Sequence, residues 1–179
     1  IANIRVNGYG AENFARNLTN CYRHLAEREI RDGDIERILA LGQRILDEPI
    51  ELIDGVEETL AILAERHSLT VFTKGDFEEQ RLKIERSGVA QYFTNQEIVR
   101  EKNAGAYRDV VARHGLTPES TWMIGNSPKS DINPAIEAGL NAIFIPHAHT
   151  WILEHQEIRT DAAHRLLILD SFRQLPGVL

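Results

Sequence analysis

Two short apolar runs, each stopping abruptly at a polar, glycine-bearing loop, constrain this chain more than any other feature. Leu69-Thr70-Val71-Phe72 ends at Thr73 and passes into Lys74-Gly75-Asp76; Trp122-Met123-Ile124 passes into Gly125-Asn126-Ser127-Pro128-Lys129-Ser130-Asp131. Each run is too short for a buried helix and is followed by helical periodicity, so each reads as a buried parallel strand whose carboxyl end opens into a loop. Open α/β sheets bind their ligands at those ends. Two polar strand ends, with Lys102 between them in sequence, therefore point to one site.

The rest of the chain fits that frame. Between Glu12 and Ile30 the apolar positions Phe14, Leu18, Cys21, Tyr22 and Leu25 recur at helical spacing, and between Asp34 and Glu48 so do Ile35, Ile38, Leu39, Ile45 and Leu46. Gly33 and Asp34 separate the two helices, with Asp34 read as the N-cap of the second. Residues 1–50 thus form a helical module, punctuated at its end by Pro49 and Asp54-Gly55. Residues 51–179 alternate: helix 56–66, strand 69–73, helix 76–87, a strand near Ile98-Val99, helix 103–114, strand 121–124, helix 130–138, strand 141–145 and a strand near Leu166-Leu167-Ile168. Such alternation predicts an α/β fold, a doubly wound parallel sheet with helices on both faces.

Composition removes several function classes. A net charge of -7 without a cationic stripe argues against nucleic acid as a partner. No run approaches the ~18 apolar residues of a bilayer span, and residues 1–15 lack the basic and apolar regions of a signal peptide. Cys21 is the only cysteine, so no intrachain disulfide forms; its place among apolar helical positions predicts a buried thiol, and a reducing cytoplasm fits. No membrane association is expected, and no feature specifies an oligomeric state.

An apolar strand closing at Thr73, Lys102 opening a helix, and a second strand running into Gly-Asn-Ser-x-x-Ser-Asp at 125–131 resemble the second, third and fourth motifs of the haloacid dehalogenase-like (HAD) hydrolase superfamily. The resemblance spans most of the chain, because the helices before residue 50 stand where many of these enzymes insert a helical cap between their first and second motifs. It implies a Rossmann-like core and Mg²⁺-dependent phosphoryl transfer through an aspartyl-phosphate, on a small phosphorylated metabolite. In that role Thr73 offers its hydroxyl to a phosphoryl oxygen, beside the amides of Lys74 and Gly75. Lys102 supplies a point charge that offsets phosphate and nucleophile together. Asp131 and Asn126 are the implied oxygen donors to Mg²⁺, with Ser127 and His147 on the substrate side.

Each of these residues also has a plainer role when taken alone. Thr73 caps the helix that follows, Asp131 answers a helix dipole, and Lys102 is a surface lysine; only their joint order and spacing favours a site. The loop Pro146-His147-Ala148-His149-Thr150-Trp151, with Glu154 and His155, invites a similar choice. Its histidines and glutamate have the chemistry of transition-metal ligands. A strand-end loop beside a substrate pocket is the commoner arrangement, and it places His147 and Trp151 on the substrate side.

Two departures from the family pattern stand out. Asn126 occupies a position where many relatives carry a second acid, which predicts weaker Mg²⁺ binding. The first motif, an apolar strand ending in Asp-x-Asp, does not precede the helices, and residues 1–10 contain no carboxylate. In this fold that strand lies at the centre of the sheet, so its absence leaves strands 69–73 and 121–124 with unpaired edges. Three explanations stand: the chain is a shortened form of a longer protein, Asn3-Ile4-Arg5-Val6 serves as a replacement strand, or another chain supplies one. Shortening is preferred, because Gly8-Tyr9-Gly10 followed by a helix resembles the inside of a cap. The 179 residues alone are then expected to be inactive. Two alternatives to a phosphatase remain, a haloacid dehalogenase using the same nucleophile without Mg²⁺ and a non-catalytic binding protein of the same fold.

Overall fold

The computed structural model describes residues 9–159 and 165–179. The replacement strand considered at Asn3-Ile4-Arg5-Val6 lies outside the described residues.

The first two helices, α1 (Ala11–Leu25) and α2 (Asp32–Asp47), pack against each other through small side chains. The buried positions are Ala11, Ala15 and Thr19 on α1 and Gly42 on α2. A Cβ added to Gly42 would stand 2.8 Å from the Ala15 methyl and 3.0 Å from the Ala11 carbonyl oxygen, so the helices meet almost backbone to backbone. This corrects the expected apolar stripe. Close approach selects the smallest residues for the seam, which leaves Phe14, Leu25 and the Cys21 thiol exposed. Asp34 is likewise not the N-cap: α2 begins at Asp32, and the Asp34 carboxylate reaches back to accept from the Arg31 amide at 3.3 Å. The helix pair is tied to the rest of the chain where Ala11 N donates to Glu79 Oε1 (2.7 Å) and Arg86 Nη1 donates to the Leu46 carbonyl (2.8 Å).

The alternating region follows as α3 (Val56–Ala64), β1 (Thr70–Lys74), α4 (Phe77–Arg86), β2 (Asn95–Val99), α5 (Ala104–His114), β3 (Trp122–Gly125), α6 (Asn133–Glu137), β4 (Asn141–Phe144) and β5 (Leu166–Ile168). Among the described residues every strand pairing is parallel: Thr70 to Lys74 register with Asn95 to Val99, Trp122 to Gly125 with Asn141 to Phe144, and Ala142 to Phe144 with Leu166 to Ile168. Among the described residues the strands form two pieces, β1-β2 and β3-β4-β5, so β1 and β3 each have one neighbour where a central strand has two. Their burial agrees with this. All of β1 and β3 is only half-buried, whereas Ala142 and Ile143 of β4, paired on both sides, are 0% exposed.

Strand alternation divides the core between two faces. Trp122 and Ile124 pack with Ile143 against Leu63 of α3 and Leu175 of the C-terminal turn, while Met123 packs with Tyr107 of α5 and Ala135 of α6. Ala142 and Phe144 lie with Ile132 and Ile136. The helix expected over 130–138 opens instead as a π-helical turn, Pro128–Ile132, before α6. Pro134 has no amide hydrogen to donate, which removes one α-helical bond at that junction; π-turns are frequent at functional sites.

Candidate active site

The turn after β3 is built around Asp131. Gly125 ends the strand and lacks a Cβ, and one placed there would lie 2.3 Å from Asp131 Oδ2. The glycine therefore makes room for the carboxylate, which accepts from the Ser127 amide at 2.9 Å through Oδ2 and from Lys102 Nζ at 2.6 Å through Oδ1. Tyr107 fixes the same turn from below, its buried hydroxyl donating to the carbonyls of Ser130 (2.9 Å) and Asp131 (3.2 Å). Burial first, and the Asp131 charge second, push that phenol above its ordinary range and keep it a donor. Lys102 lies 5.2 Å from the Phe72 ring centroid, and Phe72 in turn meets Tyr107 edge to face.

A second polar cluster shares this turn. Lys74, the last residue of β1, donates to Ser130 Oγ and to Glu154 Oε1, both at 2.7 Å, and approaches the Tyr9 hydroxyl at 3.4 Å. The other oxygen of Glu154 accepts from Ser127 Oγ (2.6 Å) and Ser130 Oγ (2.5 Å). Burial works against the Glu154 charge, yet the hydrogen bonds from Lys74, Ser127 and Ser130 outweigh it and hold the carboxyl at about 2. Burial likewise opposes the charge on Lys74, and pairing with Glu154 raises its pKa regardless.

The residues singled out from sequence are distributed unevenly around these clusters. Lys102 and Asp131 are in direct contact, and Lys74 and Ser127 meet through Glu154. Thr73, pointing to the opposite face of β1 from Lys74, donates to Gln80 Oε1 of α4 at 2.8 Å. The Gly75 amide donates to the Val99 carbonyl at 2.9 Å, and the glycine's φ of 151° lets the chain turn beside Gln80. Asn126 is exposed and donates to Thr150 Oγ1 at 2.7 Å. His147 is exposed and accepts from the His149 amide at 3.3 Å, while His155 lies 3.3 Å from the Thr150 carbonyl. Asp76 is the N-cap of α4, accepting from the Glu79 amide at 3.1 Å.

Ser130 and Glu154 are central here, although sequence reasoning gave Ser130 no role and considered Glu154 only among possible metal ligands. Ser130 carried a local signal, standing three residues after Ser127 at a helix start. Glu154 carried none, since only the return of the chain after β4 brings it to Lys74.

Mg²⁺ requires several hard oxygen donors. Among the described residues no group of three His, Cys, Asp or Glu side chains is gathered as a metal set. Asp131 accepts one hydrogen bond at each oxygen, from Lys102 and the Ser127 amide, and Asn126 donates its Nδ2 to Thr150, so these two residues supply at most one carboxylate and one amide oxygen. The described residues by themselves do not fit a Mg²⁺ site.

This architecture has known counterparts. The family described as haloacid dehalogenase-like hydrolase matches over residues 11–145. A haloacid dehalogenase-like family hydrolase from Xanthomonas campestris is 32% identical, superposes with a TM-score of 0.85, and is matched over 96% of this chain and 72% of its own. The fold is shared, at lower identity, by a 2-haloacid dehalogenase from Pseudomonas syringae (19% identity, TM-score 0.62, 94% of this chain and 70% of that one). It is shared too by a protein described as a predicted phosphoglycolate phosphatase from Haemophilus somnus (17% identity, TM-score 0.64, 96% and 78%). No curated protein sequence matches the chain. On the family match and the Xanthomonas relative together, the chain belongs to the haloacid dehalogenase-like hydrolases.

Proposed function

We propose that this hydrolase is a phosphatase acting on a small phosphorylated metabolite through an aspartyl-phosphate, with a nucleophile that is not among the described residues and with α1 and α2 as part of a cap. The observation that carries this reading is the Lys102–Asp131 pair at the carboxyl ends of the strands, where a buried carboxylate holds an ammonium group in one place. A lysine fixed in this way stabilises charge developing on a phosphoryl group without having to reorganise first. Mg²⁺ belongs to the reading only together with a further carboxylate, because the described residues do not assemble its ligands.

One observation favours a second reading, a haloacid dehalogenase. The Asp131 charge is balanced by Lys102, and each of its oxygens accepts a hydrogen bond from a protein donor, so the carboxylate is compensated without a metal. The two readings separate on substrate and chelator. A protein carrying a strand that ends in Asp-x-Asp, assayed with p-nitrophenyl phosphate and with 2-chloropropionate in Mg²⁺ or EDTA, is expected to hydrolyse the phosphate ester and to lose that activity in EDTA. Chloride release that persists in EDTA would establish the dehalogenase, and turnover of neither substrate would favour a binding protein.

Among the described residues no helix is long and apolar enough to cross a membrane. With the acidic charge and the single cysteine, this supports a cytoplasmic enzyme of small molecules rather than of nucleic acids.

A further inference from the structure

Lys74, Ser127 and Ser130 enclose a single carboxylate, that of Glu154. One ammonium and two hydroxyls around a carboxylate make the kind of donor set that proteins use for a ligand's carboxylate or phosphate, with charge-assisted bonds. The donors belong to the framework, since Lys74 closes β1 and the serines lie on the turn held by Tyr107. Glu154 does not. It comes from a short 3-10 turn, Ile152–Glu154, in the connection after β4, where Trp151 and Ile152 are 44% and 72% exposed. Around Glu154 that connection is held at exposed positions, by Lys129 Nζ to the Leu153 carbonyl (3.1 Å) and by Asn126 to Thr150 (2.7 Å), and it is anchored further on by Asn133, which bonds the Glu157 carbonyl (2.8 Å) and the Arg159 amide (2.9 Å), and by Ile158 on the core.

We propose that Lys74, Ser127 and Ser130 form an anion subsite beside the Lys102–Asp131 pair, that Glu154 is its built-in occupant, and that a carboxylate or phosphate group of a ligand binds there by displacing Glu154. The subsite stands under either reading of the reaction. An occupant on the same chain competes at high effective concentration, so Glu154 sets a threshold that a free anion must overcome. With Glu154 withdrawn, Lys74 keeps only the exposed Glu101 carboxylate, 4.0 Å away, as an ionic partner, and its ammonium and the Ser127 and Ser130 hydroxyls are open to a ligand's anion. The loop after β4 thereby couples ligand entry to its own position.

Inorganic phosphate binding to the 179-residue chain, followed by calorimetry, tests this. Glu154→Gln keeps the shape of the side chain and removes its charge, and it should tighten phosphate binding by roughly tenfold or more, the worth of about one charge-assisted hydrogen bond. The gain should vanish in the Lys74→Met/Glu154→Gln double variant. Acetate that displaces phosphate would assign the subsite to carboxylates as a class, and indifference to acetate would assign it to phosphate. In the unmodified chain, the ¹³C carboxyl resonance of Glu154 should move as phosphate is added. This last measurement decides the matter if Glu154→Gln fails to fold. Unchanged or weaker binding in a folded Glu154→Gln protein, a gain that survives Lys74→Met, or a Glu154 resonance that stays fixed while phosphate binds would each overturn the subsite. Phosphate binding that needs Lys102 and ignores Lys74 and Glu154 would remove the subsite and leave the proposed phosphatase intact.

Discussion

Lys102 Nζ sits 2.6 Å from Asp131 Oδ1, and each of the two side chains is only 9% exposed. At that depth the two charges are a unit, because removing one strands the other in a medium that solvates it poorly. In the proposed phosphatase, stability and catalysis are therefore joined at this position.

Lys102→Met, in a protein that carries the Asp-x-Asp strand, is expected to lose turnover by a factor of hundreds, corresponding to ~3 kcal/mol of transition-state stabilisation. It should also lose ~3 to 5 kcal/mol of folding stability through the orphaned Asp131. Adding Asp131→Asn should return much of the stability and none of the turnover. Urea melts and rate measurements on the same three proteins check both halves, and near-normal turnover in Lys102→Met would make this lysine purely structural.

Gly125→Ala should disturb the same pair from the other side. The new Cβ would stand 2.3 Å from Asp131 Oδ2, which forces the carboxylate or the π-turn to move. A cost of ~1 to 3 kcal/mol is expected from overpacking, with altered Lys102 side-chain resonances by NMR. A protein as stable as the parent would show that the turn yields freely.

Acid should unfold the protein partly through Glu154. Its folded pKa lies at about 2, below the ordinary value of 4.5, so its contribution is fully present above pH 4.5 and is lost as the pH falls towards 2. The contribution is of order 3 kcal/mol. Glu154→Gln should therefore flatten the acid limb of the stability curve in that window. Parallel curves for the two proteins, measured by denaturant titration at each pH, would contradict this.

Much of the fold was legible in the sequence because buried parallel strands are short apolar runs and their helices begin and end on recognisable residues. The strands at Leu69 and Trp122 fall within one residue of their expected bounds, at Thr70–Lys74 and Trp122–Gly125. The helix pair was legible as helices but not in its seam. Hydrophobic periodicity points to Phe14 and Cys21, whereas backbone contact at Gly42 demands Ala11 and Ala15. At the site, Lys102 and Asp131 were readable from spacing within a family pattern, while the partnership of Lys74 with Glu154 was not. Those two residues are 80 positions apart, and only the crossing of the chain after β4 joins them.

Gly42→Leu offers a test of the helix seam. A side chain there would begin 2.8 Å from the Ala15 methyl, so α1 and α2 must separate. Faster amide exchange confined to α1 and α2, with α5 and β4 unaffected, is the expected pattern. Exchange unchanged in α1 would contradict the close packing.

In the proposed phosphatase, the described residues hold the phosphate-side machinery of a HAD hydrolase and the nucleophile is not among them. The carboxylates described at the site are already engaged: Asp131 is paired with Lys102, Glu154 with Lys74, Glu101 lies 4.0 Å from Lys74, and Asp76 caps α4. Covalent phosphoryl transfer needs such a carboxylate and a second acid for the leaving group. The most direct measurement is p-nitrophenyl phosphate hydrolysis, with and without Mg²⁺, by the 179-residue chain and by the same chain preceded by a strand ending in Asp-x-Asp. The account predicts no release by the first and magnesium-dependent release by the second. Release by the 179-residue chain that disappears in Asp76→Asn would contradict it.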